Sequence, residues 1–211
     1  MSCPRYLLIL AVLGACGDGG GTPAIDAPGH ADAAIDAALD ADPSIASLIG
    51  TWNKAPESDP SQMIPMATFR VNGTVRLGDA ATGNEGTFTV PSPGRVRMVF
   101  AHTLETDFVV TTDHLVLTAF LPQGATTGFV GTWMTTQIQD GTIASSSAIA
   151  VRGDHTATYT LTGPSGSMDY VGTWVAEGTG FAFTANNPTS LVFHFRPLGT
   201  LAIGYLLFVK A

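Results

Sequence analysis

A short pattern recurs along this chain of 211 residues and limits its fold more than any other feature. It is Gly-Thr followed by a large aromatic residue, at Gly50-Thr51-Trp52, Gly131-Thr132-Trp133 and Gly172-Thr173-Trp174, with a weaker copy at Gly86-Thr87-Phe88. In a β-strand, glycine lets a neighbouring backbone approach, and the aromatic ring can cap one end of a core. The repetition indicates repeated β architecture, and we assign none of these residues a catalytic role.

The alternation of apolar and polar residues in segment 66–77 predicts a hairpin and its register. A two-residue turn would place Phe69 opposite Arg76 and mix the two faces of the sheet. A three-residue loop with Gly73 in the left-handed position instead pairs Phe69 with Val75 inside. We therefore predict the three-residue loop.

The two halves of the chain can be aligned with each other. Trp52 aligns with Trp133, and Phe88 aligns with Trp174. Further matches join 71–74 to 151–154 and 115–121 to 201–209. Segment 201–209 is apolar on both faces, so we predict one closing strand that is covered on both sides.

These observations predict an all-β protein, an antiparallel meander or β-barrel built from two related repeats. The predicted repeats are residues 44–126 and 127–211, each with five to seven short strands. Hydrophobic residues make up 45% and charged residues only 12% of the chain, with 24 glycines and 13 prolines. That composition is typical of a turn-rich β protein and too apolar for a disordered one.

The formal net charge of −8 reflects an acidic segment before Gly50, in which no lysine or arginine follows Arg5. A nucleic-acid interface needs lysines and arginines clustered on one face, and the chain has no such cluster. We therefore exclude nucleic acid as a partner.

Residues 1–15 have the parts of a secretory signal peptide: Arg5, an apolar run and small residues before Cys16. The ending Leu13-Gly14-Ala15-Cys16 resembles the lipobox of bacterial lipoproteins. In that family the cysteine thiol receives a diacylglycerol, the leader is cut before it, and the new amino terminus is usually acylated, for example with palmitate. An incidental cysteine behind an ordinary signal is the alternative, whereas the apolar run is too short for a membrane helix of about 20 residues.

The lipobox resemblance implies a division of the N-terminal region. Residues 1–15 are the lipoprotein signal peptide, and residues 16–43 are the lipidated Cys16 plus a disordered linker rich in Ala and Asp. Gly17 stands where an aspartate favours inner-membrane retention in the family. We therefore expect a lipid-anchored protein of the cell envelope, in the outer membrane on its periplasmic or surface face more than in the inner membrane.

Gly-X-Trp on a first strand, followed by a meander with glycine turns, resembles the lipocalin-like β-barrels of bacterial lipoproteins. The resemblance spans roughly 48–211 and implies a module that binds a small apolar or amphipathic ligand. The chain departs from the pattern because the motif recurs and because no arginine in the last strand stacks on Trp52. Lys210 is the only basic candidate there. One pseudo-symmetric barrel and two packed barrels both fit the spacing.

Seven large apolar residues are candidates to line a ligand cavity. They are Trp52, Phe88, Met98, Trp133, Trp174, Phe181 and Phe183. For the tryptophans, the favoured alternative is that they plug the ends of ordinary cores. The alternative function is a non-enzymatic structural or interaction module of the cell envelope that binds a protein or glycan partner through its outer surface.

We expect no enzyme activity, no metal site and no cofactor. The histidines after the linker, His102, His114, His155 and His194, show no ligand spacing typical of a metal site. The serines of segment 145–147 and of Ser165-Gly166-Ser167 lack a nucleophile elbow, and we predict that they face solvent.

Overall fold

The computed structural model describes most of the chain after residue 42. The described residues are 43–58, 62–186, 191–198, 201–204 and 206–211. The predicted signal peptide, Cys16 and the predicted linker up to residue 42 lie outside the described residues.

The described part is almost entirely β-strand, as the alternating pattern predicts. It contains a helix α1 (Pro43–Leu48) and sixteen strands. The N-terminal eight are β1 (Gly50–Lys54), β2 (Met66–Phe69), β3 (Thr74–Leu77), β4 (Asn84–Ser92), β5 (Arg95–Val99), β6 (Thr103–Val110), β7 (His114–Leu117) and β8 (Leu121–Pro122). The C-terminal eight are β9 (Gly131–Gln139), β10 (Thr142–Val151), β11 (Thr156–Gly163), β12 (Gly166–Glu177), β13 (Gly180–Ala185), β14 (Val192–Leu198), β15 (Ala202–Gly204) and β16 (Leu206–Lys210).

Eight strands form a closed antiparallel barrel, which we call the first barrel. Strands β1 to β7 pair in sequence order, and β16 lies between β7 and β1. The predicted all-β antiparallel barrel is therefore confirmed. Closure leaves the barrel without an edge strand, the part of a sheet that is prone to aggregation.

The remaining strands extend from β6, which is shared. Leu104 to Thr106 pair with β9, whereas Phe108 to Val110 pair with β7. From β9 the chain runs as a meander to β15, where Ile203 bridges Phe120. The strand β8 that follows Phe120 pairs with β9. These pairings form a second closed path, β9 to β15 and back through β8, which we call the second ring.

The last strand of each half pairs within the other half's path. Strand β8 follows β7 in sequence but belongs to the second ring, and β16 follows β15 but closes the first barrel. The predicted strand over 201–209 is described at 202–204 and 206–210, and residue 205 lies outside the described residues. The register is the same on both sides of that residue, since Ile203 bridges Phe120 and Leu206 pairs with Leu117. The predicted covering of both faces is confirmed: Phe208 packs in the main core, and Leu207 packs in a small cluster with Val116.

The hairpin prediction for segment 66–77 is confirmed. Phe69 pairs with Val75, Ala67 pairs with Leu77, and Gly73 has φ 76°. The left-handed backbone at Gly73 is what the three-residue loop requires.

In the structure, the turn that resembles the one at Asn72 lies two residues later than the sequence comparison predicts. Thr74 donates from N and Oγ1 to Asn72 Oδ1, at 3.2 and 2.7 Å. Thr156 makes the same two bonds to Asp154 Oδ1, at 3.0 and 2.7 Å. Asn72 and Asp154 therefore cap two turns of the same kind, whereas the sequence comparison placed Arg152 opposite Asn72. The glycine of the first turn is replaced by His155, with φ 65°.

Glycine is needed in two copies of the recurring pattern for close packing of strands. A Cβ at Gly86 would collide with the carbonyl oxygen of Val99, and one at Gly172 would collide with that of Thr184. The close backbone approach that the pattern predicts is therefore present at both positions.

Candidate ligand site in the second ring

The tryptophans at the start of β1 and β9 have the same local geometry. Trp52 Nε1 donates to Leu48 O at 2.8 Å, and Trp133 Nε1 donates to Phe129 O at 2.9 Å. Lys210 lies opposite Trp52 on β16, with Nζ 5.4 Å from the ring centroid. This lysine therefore makes a cation–π contact with the first tryptophan.

All seven cavity candidates are buried, and they form two groups. Trp52, Phe88 and Met98 lie in the first barrel, where the Phe88 ring meets Phe69 edge to face at 5.0 Å between centroids. The other four lie in the second ring, and they are Trp133, Trp174, Phe181 and Phe183. The structure therefore does not gather the seven residues around one common cavity.

Aromatic packing closes one end of the second ring. The Trp174 ring lies 4.7 Å from His155, 5.8 Å from Phe129 and 5.9 Å from Phe181, measured between centroids. Its Nε1 donates to Arg152 O at 2.9 Å. Trp174 thus acts as a plug held from several sides.

Tyr159 lies at the centre of the second ring and was missed by the sequence analysis. Its side chain is fully buried, with the Phe193 ring 5.0 Å and the Phe120 and Tyr170 rings 6.3 Å away. The hydroxyl makes no hydrogen bond in the described structure. Burial raises the pKa of Tyr159 to about 12, although the nearby Ser147 hydroxyl partly offsets the rise. The Ser147 hydroxyl is close enough to lower this pKa, but the two hydroxyls do not have the geometry of a hydrogen bond.

The prediction of solvent-facing serines is wrong for Ser145 and Ser147, which are only 4% and 5% exposed. Along β10 they alternate with outward residues and share the inward face with Ile149. Inward orientation follows from the strand period of two, which a run of identical residues conceals in the sequence. Segment 165–167 is exposed, as predicted.

The opposite end of the second ring has a partly exposed apolar rim. Leu161 follows the inward Tyr159 by two residues on β11, and it pairs with Met168 on β12. Met168 is 52% exposed although it shares its face with the buried Tyr170. Phe193, half-buried, packs on the Tyr159 ring with 5.0 Å between centroids. Apolar residues around buried polar groups are the usual composition of a small-molecule site.

The first barrel lacks the polar group that Tyr159 provides. Trp52 pairs with Ala67, and Ala67 pairs with Leu77. In the second ring Trp133 pairs with Ile149, and Ile149 pairs with Tyr159. Leu77 therefore stands in the first barrel where Tyr159 stands in the second ring, so the first barrel has no hydroxyl at the position of Tyr159.

A group of ion pairs joins the first barrel to the second ring at β6. Arg95 contacts Glu105 at 3.0 Å and Asp107 at 2.7 Å, and Arg97 contacts Glu105 at 2.8 Å. Asp107 Oδ2 also accepts the backbone N–H of Thr136 on β9 at 3.0 Å. Burial of Glu105 opposes its ionisation, but hydrogen bonds and charges from Arg97 and Arg95 outweigh burial and hold its pKa below the usual value.

We expect Glu105→Gln to lower the free energy of unfolding at pH 7 and to flatten its decline in acid. Because the folded-state pKa of Glu105 is depressed, its contribution is complete above the unfolded pKa of about 4.3 and is lost as pH falls from there through the folded value. Urea unfolding at several pH values between 7 and 3 measures the effect. Glu85→Gln, at an exposed ion pair with Arg76, is the control. An unchanged pH dependence in Glu105→Gln would contradict this assignment.

The histidines lie at separate places. His102, His114 and His194 pair with Asp140, Glu57 and Glu177 at 3.0, 3.9 and 2.7 Å, and His155 stacks on Trp174. Among the residues that the structure describes, no group of three metal-ligating side chains is found. Within the same ranges, no helix has the length and hydrophobicity to cross a bilayer.

No family model matches the chain, and neither the curated proteins nor the solved structures contain a match to it. The assignment of a function therefore depends on the residues and on their geometry.

Proposed function

We propose that this chain is a membrane-anchored extracytoplasmic lipoprotein whose β body binds a small apolar or amphipathic ligand. The buried Tyr159 hydroxyl without a hydrogen-bond partner carries the ligand part of the proposal. Leaving such a group unpaired costs about 1–3 kcal/mol, so its retention in an otherwise aromatic interior calls for a reason. A ligand that hydrogen-bonds it supplies that reason.

The binding site belongs to the second ring. In the first barrel Leu77 stands at the position that matches Tyr159, and the rings of Phe69 and Phe88 pack edge to face in the core. The second ring combines the Tyr159 hydroxyl with an apolar rim at Leu161 and Met168, so an amphipathic molecule can satisfy both parts.

The two halves are tandem repeats of eight strands that exchange their last strand. Three matched features support this proposal: the bonds from Trp52 and Trp133 to the residue four positions earlier, the turns at Asn72 and Asp154, and one backbone contact. In that contact Phe88 N donates to Gly73 O at 2.8 Å, and Trp174 N donates to His155 O at 2.9 Å. Duplication explains why a barrel motif occurs in both halves.

The anchor part of the proposal depends on the lipobox resemblance at Leu13-Gly14-Ala15-Cys16. Two or three acyl chains give stable attachment, since each buried methylene contributes about 0.8 kcal/mol. The linker that follows holds the body away from the bilayer, in the outer membrane on its periplasmic or surface face.

We expect the protein to bind the apolar fluorophore N-phenyl-1-naphthylamine saturably, with increased probe fluorescence. Leu161→Glu should weaken binding by about tenfold or more, because a charge at the rim opposes entry of an apolar molecule. Val99→Glu, at an exposed position on the outside of the first barrel, is the matched control and should bind as the wild type does. Fluorescence titration of the folded protein measures all three.

Absence of saturable binding would favour the alternative, a structural or interaction module for a protein or glycan partner. That alternative has one supporting observation. The outer face of β12 to β14 exposes Val171 and Val175 on β12 and Val192 on β14, with β13 between them. Crosslinking in cells would then be the informative measurement.

A further inference from the structure

We infer that the second ring takes an amphipathic ligand with an uncharged, hydrogen-bonding head group, which enters between Leu161, Met168 and Phe193 and places that head against Tyr159 Oη. This inference depends on the proposed ligand-binding function and specifies its ligand class, its binding residue and its entrance.

The position of the entrance is inferred from a difference between the two ends of the second ring. At one end the Trp174 ring is held between His155 and Phe129 and by its bond to Arg152 O. At the other end the inward face continues to Leu161 and to Met168, which is half exposed. A ligand that enters at the second end meets apolar side chains first and hydroxyls deeper in the ring.

The hydrogen-bonding head follows from the groups at that depth. The Tyr159 hydroxyl is unpartnered and fully buried, and the inward Ser147 and Ser145 lie on the adjacent strand β10. Tyr159 pairs with Ile149 on β10, two residues beyond Ser147, so the three hydroxyls face the same interior. A ligand carbonyl can accept a hydrogen bond from the Tyr159 hydroxyl. A ligand hydroxyl can in addition donate a hydrogen bond to a serine.

The residues around the site are the reason that the head group of the ligand is uncharged. The described inward positions of β9 to β15 carry no charged side chain. Asp107 reaches Thr135 from β6, but it is already paired with Arg95. Burial opposes ionisation of Tyr159 itself, as the rise of its pKa to about 12 indicates. An ionised carboxylate would meet the same unfavourable environment without a cation to pair with.

The test compares cis-parinaric acid with its methyl ester, two fluorescent probes that share the chain and differ in head-group charge at pH 8. We expect the wild type to bind the ester about tenfold or more tightly than the acid, given the cost of burying an unpaired charge. Tyr159→Phe should weaken ester binding by about three- to tenfold, the usual value of one hydrogen bond. Tyr170→Phe, at the neighbouring ring, is the control and should leave ester affinity unchanged.

Folding is monitored separately by urea unfolding. Tyr159→Phe should be as stable as the wild type or more so, because the substitution removes an unpaired buried hydroxyl. Equal affinity for acid and ester, or an unchanged ester affinity in Tyr159→Phe, would overturn the inference. The proposed function would survive either result if N-phenyl-1-naphthylamine still binds, and it fails if none of the three probes binds the folded wild type.

Discussion

Replacing Phe208 by alanine is expected to lower the free energy of unfolding by about 3–5 kcal/mol, the usual cost of truncating a buried phenylalanine. Phe208 is fully buried on β16, the strand that the C-terminal half contributes to the first barrel. Typical domains are stable by about 5–15 kcal/mol, so the loss is a large part of the total. Urea unfolding followed by tryptophan fluorescence measures it.

The same substitution should destabilise both closed paths together. Strand β16 follows β15 of the second ring, and β8 of the N-terminal half closes that ring, so neither path is complete without the other half. Hydrogen exchange should therefore show β1 to β5 and β10 to β13 losing protection in one step. Val175→Ala, at an exposed position on β12, is the control. Separate unfolding of the first barrel, with the second ring still protected, would show that the exchanged strands do not couple the halves.

Cys16→Ala is expected to move the protein from the membrane fraction to the soluble extracytoplasmic fraction and to abolish labelling with palmitate. The reason is that the proposed lipid is attached to the Cys16 thiol, which alanine lacks. Fractionation of cells that express the full chain with its own leader measures the change.

Cys3→Ala is the matched control for the anchor, since Cys3 leaves with the predicted signal peptide. It should remain in the membrane fraction and keep its label. Retention of Cys16→Ala in membranes after a high-salt wash would contradict the lipobox interpretation and would require another means of attachment.

The position of β16 accounts for a feature of composition. Strand β16 lies between the core of the first barrel, which takes Phe208, and the small cluster between the two paths, which takes Leu207. It is therefore apolar on both faces, and so is the segment that contains it. Most other strands alternate, because one face is in contact with solvent.

The sequence by itself determined the all-β class and the register of the first hairpin. These features depend on local rules: the period of two along a strand, the left-handed backbone of Gly73, and the burial of large aromatic residues. The positions of Trp52 and Trp133 in the cores were predictable for the same reason.

Only the tertiary structure decided which strands close each path and what lies inside them. Nothing local distinguishes a strand that pairs with its own half from one that crosses over, so the sequence does not show that β16 closes the first barrel between β7 and β1. The buried faces of Ser145, Ser147 and Tyr159 depend equally on long-range pairing, since hydroxyl residues are common on exposed strands. The candidate site could not be predicted from the sequence for that physical reason. Its residues are buried because closure of the ring brings together residues that are far apart in the chain.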